Sequence, residues 1–356
     1  MKTKDFYFNL PEELVAQYPS KKRGEDKLMI LNRHTGNIEN VSMNDFPRFV
    51  EPGTLMIFNN SRVRRSRCFA KKITPMIGGQ GNKQQAPTKE IEFMILNQIS
   101  KKDDFKISHA WKCMVKNAKK QKVGNTYIFS DGTIGTIVLY PEFEKTEFRA
   151  VVFNKKLDEM WFEKNGHIPL PPYIKREDTE EDSDRYQNVY AEEIGSAACP
   201  TAGLHFTDKM MQKLQSKNIE IAFVTLHVGL GTFLPVREEN IEEHAMHEEI
   251  YTLSEETAQK VYNAKKEGRK IVAVGTTTVR TLESAWKQAR ENKRLYLQTG
   301  THCTNIFIYP GKKMHVIDQL FTNFHTPEST LLMLVSAFAG KEYIFNAYNE
   351  AIKQNY

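Results

Sequence analysis

The feature of this sequence that most constrains its fold is a change of pattern at residue 62 that reverses near residue 153. Outside this stretch, strand-like and helix-like segments alternate, which favours an α/β domain with a mostly parallel sheet. Inside it, the apolar segments are short and evenly spaced, which is typical of a small barrel or sandwich. We therefore predict an α/β domain of residues 1–61 and 153–356 that carries an inserted β domain of residues 62–152.

Apolar periodicity and capping residues assign the individual segments. Strands are predicted at 27–33, 54–59, 91–96, 110–115, 126–130, 136–140, 148–153, 219–228, 270–275 and 305–310. Helices are predicted at 45–50, at 254–268 with Ser254 as N-cap and Gly268 past the end, at 278–290, and at 327–339 with Pro327 in the first helical position. A mobile hairpin loop is predicted at 78–87 and an acidic solvated loop at 177–184.

Charge and cysteine content narrow the class of protein. Residues 62–125 hold 16 Lys and Arg against four acidic residues, a net of +12, so the rest of the chain carries −6 of the total +6. This asymmetry indicates a basic platform for a polyanion, although a lysine-rich solubilising surface would have the same composition. The four cysteines are scattered without a CxxC pair, and we find neither a membrane span nor a signal peptide. We expect a cytoplasmic protein without disulfides.

Two segments in the last third combine small residues with histidines. GSAACPTAGLHF, residues 195–206, precedes a helix start at Thr207, where free backbone amides favour an anion. TLHVGLGTF, residues 225–233, reads as a strand that ends in a Gly-x-Gly turn, at the strand edge where α/β sheets bind ligands. A tight packed turn is the alternative for the first segment, which we interpret as a site, and a satisfied core histidine would explain His227 in the second segment equally.

Three further segments repeat this arrangement. EEHAMHEEIY, residues 242–251, places His244 and His247 three residues apart and before Glu248; no ligand set completes a metal site, so acid–base or substrate contact is favoured and no metal is predicted. VGTTTVRTLES, residues 274–284, puts hydroxyls at a helix start, with N-capping and a surface ion pair as the alternative. NFHTPEST, residues 323–330, again places a histidine before a buried helix.

With these blocks in this order, nearly the whole chain resembles the S-adenosylmethionine:tRNA ribosyltransferase-isomerases of queuosine biosynthesis. The resemblance rests on PTAGLHF, TLHVGLGTF, HAMHEE, VGTTTVRTLES, IFIYPG and STLLMLVSAFAG. It implies a barrel-like α/β main domain with an inserted small antiparallel β-barrel. It also implies a transferase that moves and isomerises the ribosyl unit of S-adenosylmethionine onto a 7-aminomethyl-7-deazaguanine base at the tRNA wobble position, giving epoxyqueuosine, adenine and methionine.

This reaction needs a deprotonated amine, removal of a proton beside the sulfonium, and protonation of the leaving adenine, and histidines suit all three tasks. The candidate catalytic residues are His205, His227 and His325, followed by His244 and His247; which histidine does which job stays open. Thr276, Thr277 and Arg280 are candidates for the methionine carboxylate or a tRNA phosphate. The remaining substrate-binding candidates are Thr201, Gly203, Phe206, Gly229, Gly231, Thr232, Glu248, Gly275, Glu283 and Asn323.

The expected partners are S-adenosylmethionine, as a co-substrate rather than a tightly bound cofactor, and the anticodon stem-loop of a tRNA. A monomer is expected. The residues predicted to bind tRNA are Arg62, Arg64, Lys112, Lys116, Lys119 and Lys120.

The chain also departs from the family pattern. Asn60 and Ser61 stand where Asp and Thr are usual, the stretch Arg64–Arg67 replaces Pro-Ala-Arg, Cys199 replaces Ala, and Glu328 replaces Lys. Most members continue about ten residues beyond the position of Tyr356. These departures leave a catalytically degenerate tRNA-binding paralogue as the alternative.

Overall fold

The structure is a computed structural model that describes residues 1–73, 89–99, 109–144, 146–229, 236–288 and 295–356. The chain forms two compact units. The first consists of Met1–Arg62, Pro171–Ile194 and Ala198–Tyr356, and the second of Val63–Leu170 and Gly195–Ala197. The second unit thus extends 18 residues past the predicted boundary at 152, because the helix that follows the last barrel strand packs with it. The predicted hairpin loop at 78–87 lies outside the described residues.

The first stretch of the chain contains three strands and three 3₁₀ turns. The strands are β1 (Lys27–Leu31), β2 (Ile38–Ser42) and β3 (Leu55–Asn59). The 3₁₀ turns span Thr3–Phe6, Glu12–Leu14 and Met43–Arg48, so the predicted helix at 45–50 is a 3₁₀ turn that begins and ends earlier. The short strand β4 (Ser61–Val63) follows.

The second unit is a closed barrel of six antiparallel strands in the order β10-β7-β6-β5-β8-β9. Its elements are β5 (Arg67–Ile73), β6 (Glu90–Gln98), β7 (Ala110–Val115), β8 (Thr126–Phe129), β9 (Ile134–Val138), β10 (Phe148–Phe153) and α1 (Glu159–Asn165). Aromatic residues fill it, and Trp161 of α1 packs on that core. The predicted barrel is confirmed.

The last stretch returns to the first unit and alternates strands and helices. Its elements are α2 (Asp182–Arg185), β11 (Glu193–Ser196), α3 (Asp208–Ser216), β12 (Glu220–Leu226), β13 (Glu249–Leu253), α4 (Glu255–Lys266), β14 (Ile271–Val274), α5 (Thr276–Ala285), β15 (Trp286–Gln288), β16 (Leu295–Leu297), β17 (Gly300–Thr304), β18 (Gln319–Phe321), α6 (Thr330–Ala339) and α7 (Lys341–Lys353).

A six-stranded mixed sheet in the order β17-β13-β12-β3-β14-β18 organises the first unit. The pairs β12–β3, β3–β14 and β14–β18 are parallel, whereas β13 pairs antiparallel with β12 and with β17. Strand β3 is buried along its whole length, as expected for a central parallel strand. Its alternate residues enter different cores: Leu55 and Ile57 join one, and Met56 and Phe58 the other. The predicted α/β class is confirmed.

Three further segment predictions are wrong in detail. Residues 305–310 form no strand; their apolar side chains pack on the core, and the neighbouring strand is the polar β17. The predicted helix at 278–290 begins earlier and ends at Ala285, because Trp286 starts β15. The last predicted helix begins at Thr330 with Ser329 as its cap, not at Pro327.

The acidic segment at 177–184 is not a uniformly solvated loop. Asp182 is buried and accepts two hydrogen bonds from the guanidinium of Arg176, at 2.7 and 2.8 Å. Its carboxylate also caps the turn that leads into α2, by accepting from the amide of Thr179. One acid of the segment is therefore structural. None of the described helices is both long and apolar enough to cross a membrane.

Asn59, the last residue of β3, is buried and uses its side-chain amide for four hydrogen bonds. Its Nδ2 donates to the carbonyl of Leu226 at 3.0 Å and to Oγ1 of Thr277 at 3.2 Å. Its Oδ1 accepts from the amides of Leu226 at 3.0 Å and Ser61 at 3.1 Å. One side chain thus joins the ends of β3 and β12 to the first turn of α5.

We expect Asn59→Ala to lower the free energy of unfolding by about 2–4 kcal/mol, because it leaves buried backbone groups unsatisfied at a cost of about 1–3 kcal/mol each. Chemical denaturation followed by circular dichroism measures the loss. The control is Asn346→Ala at an exposed position of α7, which we expect to change stability by less than about 0.5 kcal/mol. Equal stability of the two variants would show that Asn59 does not hold the ends of β3 and β12 to the first turn of α5.

Candidate active site

A cavity of about 580 Å³ opens at the carboxyl ends of the parallel strands of the first unit. Val228, Gly275 and Thr322, which follow β12, β14 and β18, all line it. This is the edge at which α/β sheets bind ligands. Most of the wall is apolar or aromatic; the polar or ionisable lining side chains are Tyr173, Cys199, Thr201, Thr276, Thr277, Thr322, Asn323, His325, Thr326, Glu328, Ser329, Tyr348 and Tyr356.

The first turn of α5 faces this cavity and has no side-chain cap. Its N-cap is Gly275, whose φ of 87° is one that residues with a Cβ rarely adopt. By contrast, hydroxyl side chains cap α3, α4 and α6. The α5 amides are therefore available to an anion in the cavity, beside the hydroxyls of Thr276 and Thr277.

A chain of side chains reaches the cavity from the start of β1. Asp26 Oδ2 lies 2.8 Å from Nδ1 of His205, and Nε2 of His205 lies 2.7 Å from Oδ1 of Asn323. Nδ2 of Asn323 donates to Oγ1 of Thr201 at 3.0 Å. Asn323 and Thr201 line the cavity, whereas His205 stands one layer behind them with both ring nitrogens engaged.

The pKa of His205 is raised above 6.5. Burial acts to lower this pKa, but the hydrogen bond and the charge of Asp26 together with the hydrogen bond to Asn323 outweigh it. The pKa of Asp26 is lowered in turn, because the contacts with His205 outweigh the burial of the carboxyl. The pair therefore favours an imidazolium beside a carboxylate.

His325 has the opposite environment. Burial lowers its pKa to about 4, so its ring is neutral at neutral pH. Its Nε2 lies 3.2 Å from Oγ1 of Thr322, and its backbone amide donates to Oη of Tyr348 at 2.8 Å. A neutral imidazole in the cavity wall can accept a proton from a bound molecule. Nearby, Glu328 lines the cavity with a positive φ of 57°.

Several predicted substrate residues lie away from the cavity wall. Arg280 is buried and pairs with Glu249, whose other oxygen accepts from the amide of Gly229 at 3.0 Å. Nε and Nη2 of Arg280 have no hydrogen-bond partner within the described residues. Glu283 accepts from the amides of His315 and Val316, and so holds the chain before β18.

Two more predicted residues have packing roles. Phe206 is fully buried in an aromatic cluster with Phe46, Phe58 and Phe321. A Cβ at Gly203 would lie 2.0 Å from Oη of Tyr190, so this position has room only for glycine.

The other histidines are not brought into the cavity wall. His227 precedes the cavity residue Val228, and its amide donates to the carbonyl of Ile250 at 3.1 Å. Nδ1 of His244 lies 2.9 Å from Oε2 of Glu238. His247 and Glu248 lie in the segment that leads into β13. Gly231 and Thr232 lie outside the described residues. No group of three potential metal ligands occurs in the described part of the chain.

The basic candidates of the second unit differ in exposure. Lys116, Lys119 and Lys120 are exposed. Arg64 instead donates to the carboxylate of Glu159 at 3.0 Å and is largely buried. Nζ of Lys112 lies 3.8 Å from the ring centre of Phe148. Arg62 is exposed and ends the first stretch of the first unit.

Sequence reasoning missed Asp26, Asn59 and Glu249. Each is separated by many residues from the partner that gives it a role: Asp26 from His205, Asn59 from Thr277, and Glu249 from Arg280. The aromatic wall residues Tyr173, Tyr348 and Tyr356 also carried no local signal. Only the departure of Glu328 from the family pattern drew attention to its position.

Comparison with known proteins gives one consistent result. The chain matches the family described as "Queuosine biosynthesis protein" over residues 3–356. It is 52% identical over its full length to the S-adenosylmethionine:tRNA ribosyltransferase-isomerase of Treponema denticola, and covers 96% of that protein. It is 44% identical to the protein of the same name from Borreliella afzelii, again over 100% of this chain and 96% of that protein.

A solved structure agrees with this result. The crystal structure of S-adenosylmethionine tRNA ribosyltransferase from Thermotoga maritima is similar to this chain at a TM-score of 0.51 and 32% identity. The match covers 99% of this chain and 95% of that one. Nothing in these comparisons supports the catalytically degenerate alternative.

We expect Asp26→Asn to move the pKa of His205 from above 6.5 to below it, because burial then acts without the opposing carboxylate. NMR titration of the histidine ring signals measures this change. The pKa of His325 is the internal control and should stay near 4, since burial alone lowers it. A His205 pKa that stays raised in the variant would mean that Asp26 is not its partner.

The same pair predicts a pH dependence of stability. The raised pKa of His205 contributes stability that is complete below pH 6.5 and is lost as pH rises through the folded-state pKa. The lowered pKa of Asp26 contributes stability that is present above pH 3.8 and is lost as pH falls through its folded-state pKa. The pair therefore stabilises the fold most between pH 3.8 and pH 6.5, where both contributions are present.

Proposed function

The chain belongs to the queuosine biosynthesis protein family, and from that premise we propose that it transfers and isomerises the ribosyl unit of S-adenosylmethionine onto tRNA. The acceptor is the 7-aminomethyl-7-deazaguanine base at the wobble position, and the products are epoxyqueuosine in tRNA, adenine and methionine. S-adenosylmethionine enters as a co-substrate rather than as a resident cofactor.

The observation that carries this proposal is the meeting of four separate sequence blocks at one cavity. PTAGLHF contributes Thr201, TLHVGLGTF contributes Val228, VGTTTVRTLES contributes Gly275 to Thr277, and NFHTPEST contributes Asn323 to Ser329. Three of these four blocks, PTAGLHF, TLHVGLGTF and VGTTTVRTLES, also carry the resemblance to the ribosyltransferase-isomerases. A cavity of about 580 Å³ suits a molecule the size of S-adenosylmethionine, since drug-sized ligands occupy about 300–1,000 Å³.

The uncapped start of α5 supports a position for the methionine carboxylate. Free amides at a helix N-terminus carry a partial positive charge and favour a negative group. Thr276 and Thr277 add two hydroxyls at the same place, and Asn59 fixes Thr277 through its 3.2 Å hydrogen bond. The apolar wall of the cavity then accommodates the sulfur and the ribose.

The acid–base chemistry requires an unprotonated group that faces the bound molecule. His325 lines the cavity, and burial keeps its ring in the neutral form that can accept a proton. We assign to it proton transfer with the attacking amine or with the carbon beside the sulfonium. His205 reaches the cavity through Asn323, so we assign it a supporting role rather than direct contact.

The lysine surface of the second unit is proposed as a tRNA contact. Lys116, Lys119 and Lys120 lie exposed in the segment that follows β7, in the stretch with the strongest positive charge. Lysines that neutralise phosphates bind nucleic acid without regard to sequence. Recognition of the wobble base itself requires contacts to a splayed, single-stranded loop base.

The activity is tested by adenine release from S-adenosylmethionine in the presence of tRNA that bears the aminomethyl deazaguanine base. We expect wild-type protein to release adenine and His325→Ala to be slower by about 100-fold or more, since general acid–base groups contribute about 10²–10⁴ in rate. We expect His205→Ala to lose less than His325→Ala, and His227→Ala to lose least, because neither ring is part of the cavity wall.

The control for this assay is tRNA that carries an unmodified guanine at the wobble position, which should release no adenine. Formation of S-adenosylhomocysteine alone would identify a methyltransferase instead. Absence of adenine with the authentic tRNA would contradict the proposed function.

We expect the triple change of Lys116, Lys119 and Lys120 to Glu to weaken tRNA binding and to flatten its dependence on salt. Each lost phosphate contact lowers the slope of log K against log salt by about 0.7–0.9, so the slope should fall by about 2–3. The charge-matched control changes Lys209, Lys213 and Lys266, which are exposed in the first unit, to Glu. An equal effect of both triple variants would indicate a general charge effect rather than a tRNA surface.

A further inference from the structure

The four side chains Asp26, His205, Asn323 and Thr201 form one continuous line of hydrogen bonds that ends in the cavity wall. The three donor–acceptor distances are 2.8, 2.7 and 3.0 Å. His205 is the last residue of the 3₁₀ turn Thr201–His205, so this turn places both His205 and Thr201, the end of the line in the cavity wall. Asn323 comes two residues after the end of β18 and joins His205 to Thr201.

Chemistry fixes the direction of each hydrogen bond. A carboxylate can only accept, so Nδ1 of His205 donates to Asp26. The amide oxygen of Asn323 can only accept, so Nε2 of His205 also donates. The amide nitrogen of Asn323 can only donate, so Oγ1 of Thr201 accepts from it. The hydroxyl proton of Thr201 meets no acceptor among the described residues and remains for a group in the cavity.

Thr201 lies beside the open start of α5. A Cβ placed on Gly275, the N-cap of α5, would lie 3.6 Å from Cβ of Ala202, the neighbour of Thr201. Gly275, Thr276, Thr277 and Thr201 all line the same cavity. The Thr201 proton and the free α5 amides are therefore donors at one place, and a carboxylate is the group that accepts several donors together.

We propose that Asp26 is a positioning residue which, through His205 and Asn323, holds the Thr201 hydroxyl as a hydrogen-bond donor to the carboxylate of S-adenosylmethionine. The proposal rests on the proposed function for the identity of the ligand. It assigns to Thr201 the direct contact, and to Asp26 the control of which way the intervening amide and hydroxyl point.

The direction of the line depends on the proton at Nε2 of His205. If His205 loses that proton, Nε2 can only accept, so the Asn323 amide turns its nitrogen to the ring and its oxygen to Thr201. The Thr201 hydroxyl then donates its hydrogen bond to the oxygen of Asn323. Only the lone pairs of Thr201 Oγ1 remain for a group in the cavity. The groups that face His205 are Asp26, Asn323, the ring of Phe321 and, through its charge, Arg23. Asp26 keeps the ring protonated against burial and the charge of Arg23.

The test compares binding of S-adenosylmethionine with binding of its decarboxylated analogue by calorimetry. We expect Thr201→Val to weaken binding of S-adenosylmethionine about tenfold or more, as for a lost hydrogen bond to a charged group, and to change binding of the analogue less than about twofold. Thr201→Ser keeps the hydroxyl and should restore the wild-type preference.

The variant Asp26→Asn tests the end of the hydrogen-bonded line that lies farthest from the cavity. At neutral pH we expect it to reproduce most of the Thr201→Val effect, because His205 loses its proton, and to recover as the pH falls. The control is Glu25→Gln, which removes the neighbouring exposed charge without touching His205 and should keep the wild-type preference. The ratio of wild-type to Thr201→Val affinity for S-adenosylmethionine should fall with rising pH; titration of the ligand itself cancels in this ratio.

Three results would overturn the proposal. Equal weakening of both ligands by Thr201→Val would show that Thr201 does not contact the carboxylate. A loss in Asp26→Asn that does not recover at lower pH would indicate a purely structural role for Asp26. Failure of the wild-type protein to bind S-adenosylmethionine would refute the proposed function as well, whereas wild-type binding with unchanged ligand preference in the variants would refute this inference alone.

Discussion

The four hydrogen bonds of the buried Asn59 side-chain amide hold together the carboxyl ends of the parallel strands β3 and β12. The rest of the first unit depends on this edge of the sheet. The hydrogen bonds set where β3 and β12 end and where α5 begins. Because the parallel strands β12, β3, β14 and β18 all end at this edge, the residues that follow them converge. The cavity is the space that this convergence leaves, and the first turn of α5 opens into it without a side-chain cap.

Two histidines at the cavity, His205 and His325, differ in pKa because their surroundings differ. His205 is partly buried beside a carboxylate, which raises its pKa, whereas burial alone lowers the pKa of His325 to about 4. The ring of His205, behind the cavity wall, therefore favours the charged form. The ring of His325, in the wall itself, favours the neutral form. Such a divergence is a way to obtain a fixed donor and a proton acceptor from the same residue type.

Much of this arrangement could be predicted from the sequence, since each local pattern agrees with the fold. The strands β3, β7 and β10, the caps of α4 and the barrel all follow from periodicity and turn residues. The polar edge strand β17 could not be recognised, because its pairing with β13 rather than its composition makes it a strand. The end of α5 was missed because Trp286 leaves the helix to stack on His315, a tertiary contact. Asp26 was missed because its role exists only beside His205.

The central claim is that this protein uses S-adenosylmethionine as a ribosyl donor bound in the cavity of the first unit. The most direct measurement follows two isotopic labels, one in the ribose and one in the methyl group of S-adenosylmethionine, into tRNA that carries the aminomethyl deazaguanine base. The account predicts that the ribose label enters tRNA and that the methyl label leaves with methionine. Methyl label in tRNA, or no ribose label in it, would contradict the account.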